Sequence, residues 1–341
     1  MERAAPGLIS ELSESLPHGN ILVTGTNGKT TTARLIAALL QHAGMKVVHN
    51  RAGSNLLRGI AAALVQGTAA GTGHGVGLFE VDEATLPAAV TLVRPRLVVL
   101  LNLFRDQLDR YGEVDTVAQY WRSALAALPA ASGVVLNADD PFVASLGRGF
   151  PGPVTYFGLD DPGTALLERE TAADFVECPA CRLPYDYALT FYGHLGHYHC
   201  ANCGAGRPEP QVRVTRAQSN ALAGTMITAQ TPGITVSIDL PLPGLYNVYN
   251  ALAALATGAA LQLPSAGAAA TIESVRAAFG RSERFQFEGR SMVTLLIKNP
   301  VGANQVLRTI RDEPGEKNVM IALNDLTADG EDVSWIWDVD F

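Results

Sequence analysis

Ile21, Leu22, Val23 and Thr24 form a short β-prone run that stops at Gly25. Beyond Thr30 the apolar residues switch to helical spacing, with Leu35, Ile36, Leu39 and Leu40 on one face up to Gly44. Strand, glycine turn and helix therefore follow one another. Residues 76–81 read as a second strand that ends in acids. Residues 96–101 are continuously apolar after their first residue, as a strand buried on both faces must be. Residues 117–128 read as a helix, and Val134, Val135 and Leu136 as a short strand ending at Asn137. This alternation predicts an α/β fold with a doubly wound, mostly parallel sheet.

The pattern then changes. Residues 178–203 are rich in Cys, His, Tyr and Gly and have no helical period. Residues 212–240 alternate in the manner of strands, and 246–261 are an Ala-rich helix. A break near 285–290 precedes two predicted strands, 292–297 and 319–323. The chain divides into a large domain, 1–285, with an insertion at about 174–210, and a C-terminal α/β domain, 286–341. Roughly 55 residues are few for a complete domain. The C-terminal unit is therefore expected to be incomplete and the chain a partial sequence.

Composition narrows the class. Of 341 residues, 48% are hydrophobic and 17% charged, which excludes disorder. A net charge of -8 argues against nucleic acid as the main partner. The sequence contains no apolar run long enough to span a membrane, and the first 20 residues do not resemble a secretory signal. A cytoplasmic protein is expected.

The turn after the first strand is Gly25-Thr26-Asn27-Gly28-Lys29-Thr30-Thr31. Its glycines let backbone N–H groups approach phosphate oxygens at the positive end of a helix. Lys29 can reach the β- and γ-phosphates of ATP, and the Thr30 hydroxyl can ligate Mg²⁺. The general phosphate-loop pattern would place a glycine where Val23 stands.

The four cysteines have their own spacing. Cys178-x-x-Cys181 and Cys200-x-x-Cys203 are 18 residues apart, which fits two knuckles around one structural Zn²⁺ held by four thiolates. His194, His197 and His199 lie nearby and read as solvated loop residues rather than ligands.

The phosphate loop, in the form Gly-Thr-Asn-Gly-Lys-Thr-Thr, resembles that of the Mur ligase family and its folylpolyglutamate synthase relatives. Further similar segments follow in order: Glu80 at a strand end, 102–112, Asn137-Ala138-Asp139-Asp140, the helix start at 244–250, and Gly280-Arg281-Ser282-Glu283. Three departures stand out. Gln107 replaces a metal-binding His, Tyr246 replaces a His before Asn247, and Lys298 replaces the His before Asn299-Pro300. With the Cys quartet and the C-terminal segments at 324–330 and 332–338, the chain resembles one branch, the MurT-type subunits of lipid II isoglutaminyl synthases.

That resemblance implies a ligase that activates a carboxylate with ATP as an acyl phosphate. Glu80 would share Mg²⁺ with Thr30, and Asn247 and Asn250 would read adenine, with Arg281 completing the nucleotide site. Asp82 and Glu83 read as acids at a solvated strand end. The implied substrate is the α-carboxyl of D-isoglutamate in the peptide stem of lipid II, and the implied partner a GatD-like glutamine amidotransferase supplying ammonia. The C-terminal domain would lend an acid to the partner's Cys–His pair: Asp338 first, then Asp332, then Asp340. Membrane contact would be peripheral, through lipid II. An ordinary Mur or folylpolyglutamate amino-acid ligase is the alternative, and a non-catalytic zinc-bearing scaffold a third.

Overall fold

The computed structural model describes residues 7–50, 54–69, 71, 75–105, 114–168, 170, 174, 177–276, 282–324 and 333–341. The N-terminal half alternates strand and helix: α1 (Leu8–Glu14), β1 (Asn20–Thr24), α2 (Lys29–His42), β2 (Lys46–His49), α3 (Leu57–Ala69), β3 (Gly75–Glu80), α4 (Leu86–Val93), β4 (Leu97–Leu100), α5 (Val114–Ala126), β5 (Gly133–Asn137), α6 (Pro141–Ser145) and β6 (Val154–Leu159). A hairpin, β7 (Asp186–Tyr192) and β8 (Leu195–His199), precedes a meander of β9 (Val212–Ser219), β10 (Thr225–Thr231) and β11 (Ile234–Leu240). Then come α7 (Leu245–Ala260), α8 (Ala268–Ser274), a second hairpin of β12 (Ser282–Phe287) and β13 (Arg290–Leu295), and α9 (Pro300–Asp312).

Nine strands form one sheet in the order β11-β10-β9-β6-β5-β4-β1-β3-β2. From β2 to β9 all neighbours are parallel, and β10 and β11 add an antiparallel edge. The doubly wound parallel sheet is as expected. The meander at 212–240 extends this sheet rather than forming one of its own, because β9 pairs parallel with β6.

Helices cover both faces. β1, β4 and β5 are buried along their whole lengths, which explains their unbroken apolar character. One core packs α2 and α7 on the sheet, the other α3, α4, α5 and Trp121 on the opposite face. α7 is lined by Ala251, Ala253, Ala254 and Ala256, all with no exposure. These small side chains let its backbone come close to α2 and to the sheet. Each fully buried Phe, Leu or Ile in these cores contributes about 1.5–3 kcal/mol. Among the described residues no helix is long and apolar enough to cross a membrane.

Two expectations fail here. Residues 319–323 form no strand; Val319, Met320, Ile321 and Leu323 are exposed in irregular backbone. Their apolar run, with β-branched Val319 and Ile321, has the propensity, but no described strand pairs with it, and propensity alone does not make a sheet. The histidines also differ from expectation. His194 is fully buried and His197 half-buried, while His199 alone faces solvent. The β7–β8 hairpin puts Phe191, Tyr192 and Leu195 into the sheet's core, and its first histidine goes in with them.

Candidate active site

β1 connects toward β2 on one side and β4 toward β5 on the other, so the crevice at their carboxyl ends is where an open α/β sheet binds ligand. The phosphate loop occupies it. Gly25 needs its lack of a side chain: its φ is 146° and a Cβ would lie 2.8 Å from that of Leu101. The loop is tied to the end of β4. Thr26 N–H donates to Asn102 O at 3.0 Å, and Asn27 N–H to Asn102 Oδ1 at 2.9 Å. Asn102 Nδ2 returns a bond to Asn27 O at 3.1 Å. The Thr26 hydroxyl donates to Phe104 O and accepts from Phe104 N–H.

Lys29 and Thr30 open α2. Lys29 Nζ donates to Gly25 O at 2.5 Å and pairs with Glu83 Oε1 at 2.9 Å. Thr30 Oγ1 donates to Glu80 Oε2 at 2.8 Å. Asp82 and Glu83 are buried, not solvated. The chain turns inward after β3, so that Lys29 faces Glu83 and Trp121 Nε1 donates to the Glu83 carbonyl. Glu80 is held from behind by Asn50, whose amide exchanges hydrogen bonds with the Glu80 backbone at 2.9 and 3.0 Å.

The Thr30 hydroxyl and Glu80 carboxylate are hard oxygen donors of the kind Mg²⁺ takes. Beside them the His49 side chain is 2% exposed and its Nε2 lies 3.4 Å from Glu80 Oε1, yet neither ring nitrogen has a hydrogen-bond partner. The unbonded His49 nitrogens and these two oxygens make a polar lining that fits a hydrated cation.

Asn247 and Asn250 come in from α7. Asn250 Oδ1 accepts from the Thr32 hydroxyl at 3.2 Å, and its Nδ2 donates to Asn247 Oδ1 at 2.9 Å. Asn247 Nδ2 donates to Pro243 O. These amides lock α7 against the start of α2. From the C-terminal region Asn299 also reaches the loop: its Nδ2 donates to Asn27 Oδ1 at 3.1 Å while its Oδ1 caps α9 at Gly302 N–H. Sequence reasoning gave no role to Asn102, Asn299 or His49. Asn102 and Asn299 bond to Asn27 from 75 and 272 residues away, and His49 faces Glu80, 31 residues on, so only the fold brings them together.

Asp139 stitches the insertion to this core. It accepts from Leu159 N–H and the Tyr249 hydroxyl, each at 2.7 Å, and from Arg207 Nε at 2.5 Å. Burial pushes its carboxyl above the usual range, against the pull of the Arg207 guanidinium. His194 lies 3.3 Å from Asp140 Oδ2, and Asp140 also caps α6 through Phe142 and Val143 N–H.

The thiols of Cys178, Cys181, Cys200 and Cys203 all lie within 4.8 Å of one another, and two pairs are 3.5 Å apart. Tetrahedral zinc sulfur sites need edges of about 3.8 Å. Burial resists ionisation of Cys178, but the Ala180 amide and the Tyr185 hydroxyl bring its thiol down to about 6. At Cys203 the Ala205 amide favours the thiolate, yet the crowding of Cys178 and Cys200 pushes it up to about 11. The four sulfurs form a donor set that would suit a tetrahedral metal ion.

At the C-terminus, Asp338 closes a single 3-10 turn, Ser334–Asp338, with Trp337 exposed beside it. Asp338 Oδ2 lies 3.4 Å from Arg105 Nη1. Asp340 is engaged by Asn304, accepting at its carboxylate and donating from its N–H. Arg281, Asp332 and Gln107 lie outside the described residues.

Comparison with known proteins agrees with this geometry. Residues 23–205 match the family model of the Mur ligase middle domain, and 296–341 that of the MurT ligase C-terminal domain. The chain is 37% identical over 324 residues to lipid II isoglutaminyl synthase (glutamine-hydrolyzing) subunit MurT of Streptococcus pneumoniae, covering 94% of this chain and 70% of that one. It is 32% identical over 323 residues to the subunit of the same name from Staphylococcus aureus strain COL, with the same coverage. Among solved structures, a pseudomurein peptide ligase type C from Methanothermus fervidus superposes with a TM-score of 0.71 at 23% identity, over 85% of this chain and 56% of that one. MurF from Acinetobacter baumannii gives 0.68 at 18% identity, over 91% and 57%. The chain thus spans little more than half the length of these two ligases, which show the fold. With the family models and the sequence relatives taken together, the chain belongs to the Mur ligase family and, within it, to the MurT subunits.

Proposed function

We propose that the chain is the synthetase subunit of a lipid II isoglutaminyl synthase, a carbon–nitrogen ligase that uses glutamine as its amide donor. Its substrate is the α-carboxyl of D-isoglutamate in the lipid II stem, and its product D-isoglutamine. A carboxylate needs a better leaving group than oxide before ammonia can displace it. Attack of the carboxylate on the γ-phosphorus of ATP gives an acyl phosphate and ADP, and ammonia then displaces phosphate.

The observation that carries this reading is the Thr30–Glu80 pair at 2.8 Å beside Lys29. Gly25, Thr26, Asn27, Gly28 and Thr31 supply the cradle for the phosphates. Lys29 exchanges Glu83 for the β- and γ-phosphates and neutralises charge on the transferred group. Mg²⁺, held by Thr30 and Glu80, supplies further charge neutralisation when bound. Asn247, Asn250 and Arg281 form the adenine side. Asn102 and Asn299 keep the loop in shape.

Zinc bound by Cys178, Cys181, Cys200 and Cys203 closes the insertion, and with all four positions taken by protein its role is structural. Ammonia comes from a GatD-like glutamine amidotransferase. That partner's imidazole needs a carboxylate to orient it and to stabilise its protonated form, and Asp338 lends it across the interface. Trp337, 87% exposed, suits the anchor of such an interface. The complex works in the cytoplasm, at the inner face of the membrane through lipid II.

The test is amidation of lipid II by the purified chain with the glutaminase from the same genome. Without added ammonium, amide should form only with ATP, Mg²⁺ and glutamine all present. Addition of an amino acid by the chain alone would overturn the reading.

A further inference from the structure

Arg105 follows directly on Phe104, whose backbone N–H and carbonyl are both bound to the Thr26 hydroxyl of the phosphate loop, at 2.9 and 3.1 Å. Its guanidinium is oriented before it reaches the tail. Asp174, whose side chain is 6% exposed, accepts from Arg105 Nε at 2.5 Å with one oxygen and from Arg105 N–H at 2.9 Å with the other. With the Nε side fixed, Nη1 points to Asp338 Oδ2 at 3.4 Å.

The energy of this last contact does not explain it. Both side chains are more than a third exposed, and such pairs contribute about 0–1 kcal/mol after screening. What the arrangement provides is direction. A buried carboxylate aims the guanidinium, and the guanidinium holds one oxygen of Asp338. Two residues on, Asp340 is fixed independently: Asn304 accepts from its N–H at 2.9 Å and donates to its carboxylate at 3.2 Å. Asn304 lies on α9, whose capping residue Asn299 is bonded to Asn27. Two neighbouring residues of the phosphate loop, Thr26 and Asn27, are therefore each connected to one acid of the tail.

We propose that Arg105 is a positioning residue for glutamine hydrolysis, holding one carboxylate oxygen of Asp338 so that the other meets the partner's imidazole. This rests on the assignment of Asp338 to the partner's site. It assigns the loop after β4 a second task, setting the tail acid from the same segment that frames the nucleotide. Lysine at this position keeps the charge but lacks the fork that grips Asp174 and Asp338 together.

The test uses the assembled complex with its glutaminase and measures glutamine hydrolysis. Arg105→Ala should lower kcat by about 10- to 100-fold, the loss that follows misplacement of a reacting group, with KM for glutamine within about twofold. Arg105→Lys should recover part of kcat. Should Arg105→Ala fail to assemble, Asp174→Asn and Arg105→Lys carry the test, each with a kcat several-fold below wild type. Wild-type kcat in these variants, with hydrolysis lost in Asp338→Asn, overturns the role of Arg105 alone. Full hydrolysis in Asp338→Asn overturns both it and the assignment of Asp338.

Discussion

Gly28 and Asn250 stand so close that a Cβ on Gly28 would lie 2.1 Å from Asn250 Oδ1. Gly28 also has φ at 89°, a left-handed conformation that costs a side chain about 1–3 kcal/mol. Gly28→Ala is therefore predicted to lose that stability in urea unfolding. It should also weaken binding of a fluorescent ATP analogue by an order of magnitude or more, because Asn250 must move and the loop with it. Unchanged affinity would mean that the loop tolerates a different backbone.

If Lys29 binds phosphate as proposed, Glu83 competes with it. Lys29 is neutralised at 2.9 Å by Glu83, an interaction that ATP would displace on the proposed reading. Glu83→Gln is predicted to bind nucleotide several-fold more tightly, while the nucleotide-free chain loses about 1–3 kcal/mol by leaving Lys29 short of a charged partner. Isothermal titration and thermal melting check the two effects separately. Weaker nucleotide binding in this variant would assign Glu83 to the nucleotide complex itself.

Asp160 and His197 make a proton-linked pair at 3.4 Å. The His197 hydrogen bond, working against burial, holds the Asp160 carboxyl below its ordinary 3.8. Burial disfavours protonated His197, but Asp160 and the Leu159 carbonyl together raise it above 6.5. The raised histidine stabilises the fold fully below 6.5, and that part is lost as pH rises through its folded value. The lowered carboxylate stabilises above 3.8, and that part is lost as pH falls. Asp160→Asn should thus be less stable than wild type between about pH 4 and 6.5, by about 0.5–1 kcal/mol for a pair this exposed. The difference should narrow by pH 8. Parallel stability curves from pH 5 to 8 would show no linkage.

The Cys quartet is predicted to retain about one zinc ion per chain after dialysis. Cys178→Ser with Cys200→Ser should lose it, and should also loosen the β7–β8 hairpin, since both thiols are buried among Tyr185 and Tyr198. Elemental analysis with hydrogen exchange on the hairpin measures both. Full retention of metal would rule out the four-thiolate site.

Much of the proposed nucleotide site is legible along the chain because its parts are local. Gly25 to Thr31 must be contiguous to wrap phosphate, and the 2+2 cysteine spacing carries its own geometry. The parallel sheet was legible in continuous apolar runs such as residues 97–100. What escaped was long-range. Nothing near Asp139 announces Arg207 and Tyr249 as its partners, 68 and 110 residues on. Glu83 looks like a solvated acid until the turn after β3 brings it onto Lys29. His194 looks like a loop residue until the hairpin buries it against Phe104, ring centroids 4.7 Å apart. Conversely, 319–323 has the composition of a strand, but pairing belongs to the neighbours and not to the segment.

The central claim is that one chain both activates the carboxylate and lends an acid to its partner. Lipid II amidation by the complex, run once with glutamine and once with ammonium at high concentration, tests it most directly. Asp338→Asn should lose the glutamine-driven reaction and keep the ammonium-driven one, while Lys29→Ala should lose both. Loss of the ammonium-driven reaction in Asp338→Asn, or amidation by Lys29→Ala at the wild-type rate, would contradict the account.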